Sequence, residues 1–314
     1  MLIAIAYVAA GLAMLYFGGE ALVRGASNLA LRLGISAVAI GLTVVAFGTS
    51  APELVVSVDA ALTGANDISV GNVVGSNIAN IALILGIATL VRPTQVAAQL
   101  VRVDAPIMVV VSLALLAALV DGGASRLEGS LFLLGLLLYV AFTFWQARQE
   151  LPDVQREFAS ATPRPRAGAM GIVALLVVGL ALLVGGGHLL VEGAVEIAAQ
   201  LGISQAAIGL TVVAVGTSLP ELATSLVAAL RGHGDIAVSN VIGSNIFNIL
   251  GILGLTALVR PLALGGISVI DLAVMVALAF ILVLLLAARS RLGRVEGACF
   301  VAGFVLYVGW LLAP

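Results

Sequence analysis

Residues Gly41–Gly86 read GLTVVAFGTSAPELVVSVDAALTGANDISVGNVVGSNIANIALILG, and Gly209–Gly254 read GLTVVAVGTSLPELATSLVAALRGHGDIAVSNVIGSNIFNILGILG. The two segments align without a gap, with about two-thirds of positions identical. The likeness spreads outward from them. Leu33-Gly34-Ile35-Ser36 recurs as Leu201-Gly202-Ile203-Ser204, Arg92-Pro93 as Arg260-Pro261, and Arg126-Leu127-Glu128-Gly129 as Arg294-Val295-Glu296-Gly297. Each half of the chain therefore carries the same set of elements, and a repeat of this length governs the fold.

The solvent of that fold follows from composition. Of 314 residues, 62% are hydrophobic and only 10% charged, against roughly 45–50% and about 25% in soluble domains. Apolar runs such as Val109–Val120, Leu131–Phe144 and Leu272–Ala288 recur, and runs near 20 residues are what a bilayer of roughly 30 Å requires. Hydropathy places five spans in each half: about 2–22, 37–61, 69–91, 103–120 and 127–147, then about 169–191, 205–230, 236–259, 267–288 and 296–313. The expected architecture is an all-α membrane protein of ten transmembrane helices. Its domains are a first five-helix repeat, 1–147, a polar linker, 148–168, and a second five-helix repeat, 169–314. The first segment has no basic n-region and reads as a retained helix. The single cysteine, Cys299, cannot form an internal disulfide and is expected as a small buried residue.

An odd number of spans per half forces the halves into opposite orientations. All fourteen basic residues are arginines. With the N-terminus outside, twelve of them fall on the inner side, and only Arg126 and Arg260 fall outside. That is the positive-inside bias. Both termini are expected outside and the linker in the cytoplasm. Inverted repeats characterise secondary transporters, whose ion sites lie at the repeat interface near the midplane. No basic patch suits nucleic acid.

Polar residues inside the spans locate that site. Glu53 follows Pro52, and Glu221 follows Pro220 at the matching place. A carboxylate at bilayer depth costs about 2.5–3.5 kcal/mol on insertion scales, so a symmetric pair points to use. A structural pair buried against arginine is the bland alternative, but no arginine lies within either repeated span except Arg231 near an end. Thr49, Ser50 and Glu53 can share a helix face, and Ser76 and Asn80 are four apart on the next span. The second half repeats this with Thr217, Ser218 and Glu221, then Ser244 and Asn248. Every one of these side chains offers oxygen, which suits Na⁺, Ca²⁺ or Mg²⁺. The prolines disturb the helix backbone, which makes the carbonyls of Ala46 and Ala214 further candidate ligands. Gly75, Asn77, Gly243 and Asn245 are equally well read as small or polar residues that let helices approach. Asp104 and Asp271 begin spans and are expected to cap them. A hydrolase would need a nucleophile with a base. Ser50 and Ser218 have no histidine nearby in sequence, so no enzyme is expected.

The motifs Gly48-Thr49-Ser50-Ala51-Pro52-Glu53 with Gly75-Ser76-Asn77-Ile78-Ala79-Asn80, and Gly216-Thr217-Ser218-Leu219-Pro220-Glu221 with Gly243-Ser244-Asn245-Ile246-Phe247-Asn248, resemble the two α-repeats of the sodium/calcium exchanger family. The resemblance implies a compact prokaryotic member, located in the inner (plasma) membrane. Its ligands would map onto Thr49, Ser50, Glu53, Ser76, Asn80, Thr217, Ser218, Glu221, Ser244 and Asn248. It implies alternating access by sliding of the first and sixth helices, where Gly18-Gly19 and Gly185-Gly186-Gly187 fit a sliding contact. It implies Ca²⁺ and Na⁺ as transported ions and no cofactor, with three Na⁺ exchanged for one Ca²⁺. Asn248 stands where some relatives carry Asp, which lowers the case for K⁺ coupling. Proton/calcium exchange is the rival within transport.

Overall fold

The computed structural model describes residues 2–120, 122–149, 168–201, 214–263 and 267–311. Among the described residues the regular structure is helical, save four two-residue strands. The long helices are α1 (Leu2–Leu33), a bent pair α2 and α3 (Ala37–Thr49 and Ala51–Thr63), α4 (Ile68–Val91), α5 (Leu100–Leu119), α6 (Arg126–Gln149), α7 (Ala169–Gln200), α8 (Leu219–Arg231), α9 (Gly234–Val259), α10 (Val269–Arg289) and α11 (Arg294–Leu311). Among the described residues eight helices are each long and apolar enough to cross a membrane, and α2 with α3 forms a ninth span bent by 46°. The seventh expected span, 205–230, is described only from Ala214 onward, and most of the linker lies outside the described residues.

Burial sorts these helices. The apolar stretches of α4 and α9 are 78% and 89% buried, against 11–28% for α1, α6, α7 and α11. The two central helices thus form the core, and the outer ones present Leu2, Phe17, Leu127, Leu137, Met170 and Leu306 outward. Such surfaces suit hydrocarbon rather than water, and the protein is an integral membrane protein. Cys299 lies on this outward surface, exposed and not buried as expected. Nothing in a lipid-facing helix penalises a small apolar side chain there.

Two helices overrun their expected ends. Hydropathy closes the first span near residue 22 because charge begins with Glu20 and Arg24. The helix continues to Leu33 because Glu20 is paired, with Arg24 on its own helix and with Arg231 Nε at 2.7 Å. At about 1.5 Å per residue, the 32 residues of α1 or α7 exceed a perpendicular crossing.

α1 and α7 run antiparallel and in unusually close contact. Gly11, Gly18 and Gly25 on α1 repeat every seven residues, as do Gly179, Gly186 and Gly193 on α7. A Cβ on Gly11 would lie 2.7 Å from Gly186 O, on Gly18 2.9 Å from Gly179 O, and on Gly193 2.6 Å from Ala4 O. Only glycine admits such backbone approach. Of the glycines expected to serve sliding of these two helices, Gly18 and Gly186 lie in the seam between them, whereas Gly19 faces Ala223 and Val227 of α8.

Short strands tie the halves together at the helix ends. β1 (Thr94–Gln95) pairs antiparallel with β4 (Arg291–Leu292), and β2 (Gly123–Ala124) with β3 (Leu262–Ala263). Arg92 donates to Leu230 O at 3.1 Å, and its repeat mate Arg260 donates to Ala61 O and Leu62 O, both at 3.1 Å. These arginines cover carbonyls of the last helical turn, where backbone donors run short; Ala61 O also accepts Gly64 N–H at 3.1 Å.

Candidate functional site

The bend between α2 and α3 falls at Ser50 (φ −83°, ψ 10°), and the matching break at Ser218 has φ −88°, ψ 8°. Pro52 and Pro220 follow in the first turn of α3 and α8, where a missing N–H costs nothing. Each new helix then carries its glutamate in that first turn, pointing inward. Glu53 and Glu221 are both 1% exposed.

The carboxylates meet the opposite half crosswise. Ser50 Oγ donates to Glu221 Oε1 at 2.8 Å, and Ser218 Oγ donates to Glu53 Oε1 at 3.2 Å. Ser218 Oγ also lies 3.4 Å from Ser76 Oγ on α4. Thr49 Oγ1 lies 3.3 Å from Asn240 Oδ1 on α9. Asn80 and Asn248 open matching π-helical stretches, Asn80–Leu85 and Asn248–Leu253, inside α4 and α9. Such widened turns tend to occur at functional sites. All of these side chains except Thr217, which is half-buried, are enclosed.

What singles out the arrangement is its unspent oxygen. Glu53 Oε2, Asn80 Oδ1, Thr217 Oγ1, Glu221 Oε2, Ser244 Oγ and Asn248 Oδ1 are buried and have no hydrogen-bond partner among the described residues. Unpartnered buried polar atoms are uncommon in proteins, and half of those among the described residues are these six. Six acceptors contributed by both halves, with hard-oxygen chemistry and no sulfur or imidazole, fit a dehydrated alkali or alkaline-earth cation. Ca²⁺ alone takes six to eight oxygens at roughly 2.3–2.6 Å.

The structure thus brings together Glu53, Glu221, Ser50, Ser76 and Ser218 by direct contact, sets Thr49 at the end of α2 against Asn240 of α9, and places Asn80, Ser244 and Asn248 on the central helices α4 and α9. Two expectations are revised. The Ala46 carbonyl is not freed by proline: it accepts Ser50 N–H at 3.1 Å and Thr49 Oγ1 at 3.3 Å. The N–H that Pro52 lacks would have served Gly48, so the missing bond leaves Ala46 untouched. In the second half Ser218 N–H goes to Val215 O at 3.2 Å, and the side chain of Ala214 lies outside the described residues. Asp104 is not a cap. It is fully buried in a π-helical stretch and accepts Tyr139 OH at 3.1 Å. Asp271 does cap, within a capping box with Ser268, and also accepts Tyr307 OH at 2.7 Å.

Sequence reasoning gave too little to a second set of amides. Asn72 donates to Glu53 O at 3.1 Å and to Ser57 Oγ at 2.9 Å, and its mate Asn240 donates to Ser225 Oγ at 3.1 Å. Asn77 and Asn245, read from sequence as spacing residues on even terms, are 1% exposed and hydrogen-bonded across the centre. The signal that could have found them was present: each of these asparagines recurs in both halves, and a buried amide in lipid needs partners.

Comparison with known proteins bears on the family and the fold. The chain matches the family described as "Sodium/calcium exchanger protein" over residues 3–145 and 171–313. It is 41% identical over 314 residues to a putative antiporter, CaxA, of Alkalimonas amylolytica, covering 98% of each chain. It is 35% identical over 333 residues to the sodium/calcium exchanger MaX1 of Methanosarcina acetivorans, covering 95% of each. Among solved structures it is similar to the sodium-calcium exchanger NCX_Mj soaked with 2.5 mM Na⁺ and 0.1 mM Ca²⁺, with a TM-score of 0.85, 33% identity and full coverage of both chains. On the family match across both halves and on these full-length likenesses, the chain belongs to the sodium/calcium exchanger family of membrane cation antiporters.

Proposed function

We propose that this antiporter exchanges Ca²⁺ for Na⁺ by alternating access around a single site between two inverted repeats. One observation carries the reading: six unpartnered buried oxygens drawn from both halves, two of them on a pair of glutamates that no arginine among the described residues neutralises. Two carboxylates balance one Ca²⁺. The hydroxyls of Thr49, Ser50, Thr217 and Ser218 add the neutral oxygens that Na⁺ requires and that a proton would not.

Inversion of the halves is supported by contacts that a parallel repeat would forbid. β1 follows the third span and β4 precedes the tenth. In ten spans with parallel halves these loops would lie on opposite faces of the membrane, whereas in inverted halves they share one. The pairing of β2 with β3, the antiparallel seam of α1 with α7, and the Arg92 and Arg260 bonds agree. Residues 1–147 and 169–314 are then the two repeats and 148–168 a cytoplasmic linker. Arginine bias supports both termini outside a prokaryotic plasma membrane.

α1 and α7, locked by their glycines, move as one body against the bundle. A crevice of 690 Å³ lined by Phe47, Phe144, Leu180, Val184 and Phe247 gives α7 apolar surfaces to slide on. Exchange of three Na⁺ for one Ca²⁺ would move one net charge, worth about 2.3 kcal/mol per 100 mV.

The second reading is H⁺/Ca²⁺ exchange, favoured by the same glutamates, because a buried carboxylate pair can also be neutralised by protons. Uptake of ⁴⁵Ca²⁺ into proteoliposomes separates the two. An outward Na⁺ gradient at equal pH is expected to drive uptake. Uptake driven by a pH gradient and indifferent to Na⁺ would replace sodium with protons as the counter-ion.

A further inference from the structure

Asn77 on α4 and Asn245 on α9 face each other at the centre of the protein. Asn77 Nδ2 donates to Asn245 O at 3.3 Å, and Asn245 Nδ2 donates to Asn77 O at 3.4 Å. A backbone carbonyl can only accept, so these two bonds fix which end of each amide is nitrogen. Sulfur atoms lie on the same side of each amide: Met275 Sδ is 3.8 Å from Asn77 Nδ2, and Met108 Sδ is 3.5 Å from Asn245 Nδ2. A thioether is likewise an acceptor.

The consequence passes outward by one step in each direction. With its nitrogen committed, Asn77 presents Oδ1 to Asn248 Nδ2 at 3.0 Å, and Asn245 presents Oδ1 to Asn80 Nδ2 at 3.0 Å. Asn248 and Asn80 must therefore turn their NH₂ groups toward these partners and their oxygens away. Those oxygens, Asn80 Oδ1 and Asn248 Oδ1, are two of the buried atoms without a partner. An unrestrained amide could present either end to the site, and an NH₂ group would repel a cation.

We infer that Asn77 and Asn245 are positioning residues that polarise the site: through two backbone carbonyls they hold Asn248 and Asn80 with oxygen, never nitrogen, toward the transported cation. The inference rests on the ion-site reading above. It assigns to the third residue of each Gly-Ser-Asn motif a function beyond close helix packing.

The test is equilibrium binding of ⁴⁵Ca²⁺ to the purified full-length protein in two double-mutant cycles. Asn77→Leu is expected to weaken binding on the order of tenfold, and Asn248→Leu by a similar factor, since one ligand is lost in each case. The double variant is expected to bind no more weakly than Asn248→Leu alone, because an amide that is gone cannot be misoriented. Asn77→Leu combined with Asn80→Leu, which share no hydrogen bond, is expected to give the product of the two factors. The mirror cycle of Asn245→Leu with Asn80→Leu supplies an independent measurement should an Asn77 variant fail to elute as a single folded species. Multiplicative losses in the crosswise pairs, or unchanged affinity in Asn77→Leu and Asn245→Leu, overturn the inference while leaving the ion site intact. A wild-type protein that binds no ⁴⁵Ca²⁺ overturns the calcium-site reading and this inference with it.

Discussion

Three consecutive glycines, Gly185, Gly186 and Gly187, sit on α7, and each meets a different environment. A Cβ on Gly186 would lie 2.9 Å from Gly11 O, 3.0 Å from Leu15 N and 2.8 Å from Met14 Cβ of α1. Two of the three obstacles are backbone, so relief requires the helices to part by about half an ångström to reach ordinary contact. On Gly187 the nearest atom would be Gly216 O at 3.8 Å, an ordinary contact already. On Gly185 it would be Met14 Cε at 3.0 Å, the mobile end of a flexible side chain. Overpacking against rigid neighbours costs about 1–3 kcal/mol. The gain of roughly 1 kcal/mol in helix propensity from glycine to alanine is common to all three positions and cancels between them. Gly186→Ala is therefore expected to be less stable than Gly187→Ala by about 1–3 kcal/mol, with Gly185→Ala close to Gly187→Ala. The assay is thermal melting of the three purified variants in one detergent, with ⁴⁵Ca²⁺ uptake alongside. Equal melting of Gly186→Ala and Gly187→Ala would refute the claim that the glycine seam holds α1 and α7 as one body.

Other perturbations have equally definite outcomes. Tyr139→Phe strips fully buried Asp104 of its hydroxyl donor and is expected to cost about 1–3 kcal/mol in a melting experiment. Tyr307→Phe costs less, because Asp271 keeps Ser268 N–H at 2.9 Å and Ser268 Oγ at 2.8 Å. Gly64 and Gly232 close α3 and α8 at φ +89° and +84°, so Gly64→Ala and Gly232→Ala are each expected to lose about 1–2 kcal/mol. On a Cys299→Ser background, Gln95→Cys is expected to react with an impermeant maleimide only from the cytoplasm, and Ala263→Cys only from outside. Labelling of both from one face would defeat the inverted topology.

Much of this was legible in sequence because the repeat is written twice. Glu53 and Glu221 stood out because an ionisable residue in an apolar span has an insertion cost that chance rarely repeats in register. The serines followed by helical spacing, and in the structure Ser50 contacts Glu221 and Ser218 contacts Glu53. What sequence could not give was crosswise connection. Spacing along a helix relates Ser50 to Glu53, yet the bond formed is to the glutamate of the other half. For the same reason the partnership of Asn77 with Asn245 was invisible, since each side chain reads locally as a spacer. Helix length is hidden where charge resembles a stop: Glu20 looks like an interfacial residue until Arg231, 211 positions away, is seen beside it. The seven-residue glycine period on α1 and α7 was readable but was obscured by the doublet and triplet of adjacent glycines. Asp104 misled because the start of a span is where a cap belongs. Only tertiary packing shows that Tyr139 claims it.

The most direct examination of the shared cation site is ⁴⁵Ca²⁺ uptake into Na⁺-loaded proteoliposomes by Glu53→Gln and by Glu221→Gln, each first shown to insert and elute as wild type does. Loss of uptake in both is the predicted result, because one remaining carboxylate cannot balance a dehydrated divalent ion. Wild-type uptake in either variant would contradict the account.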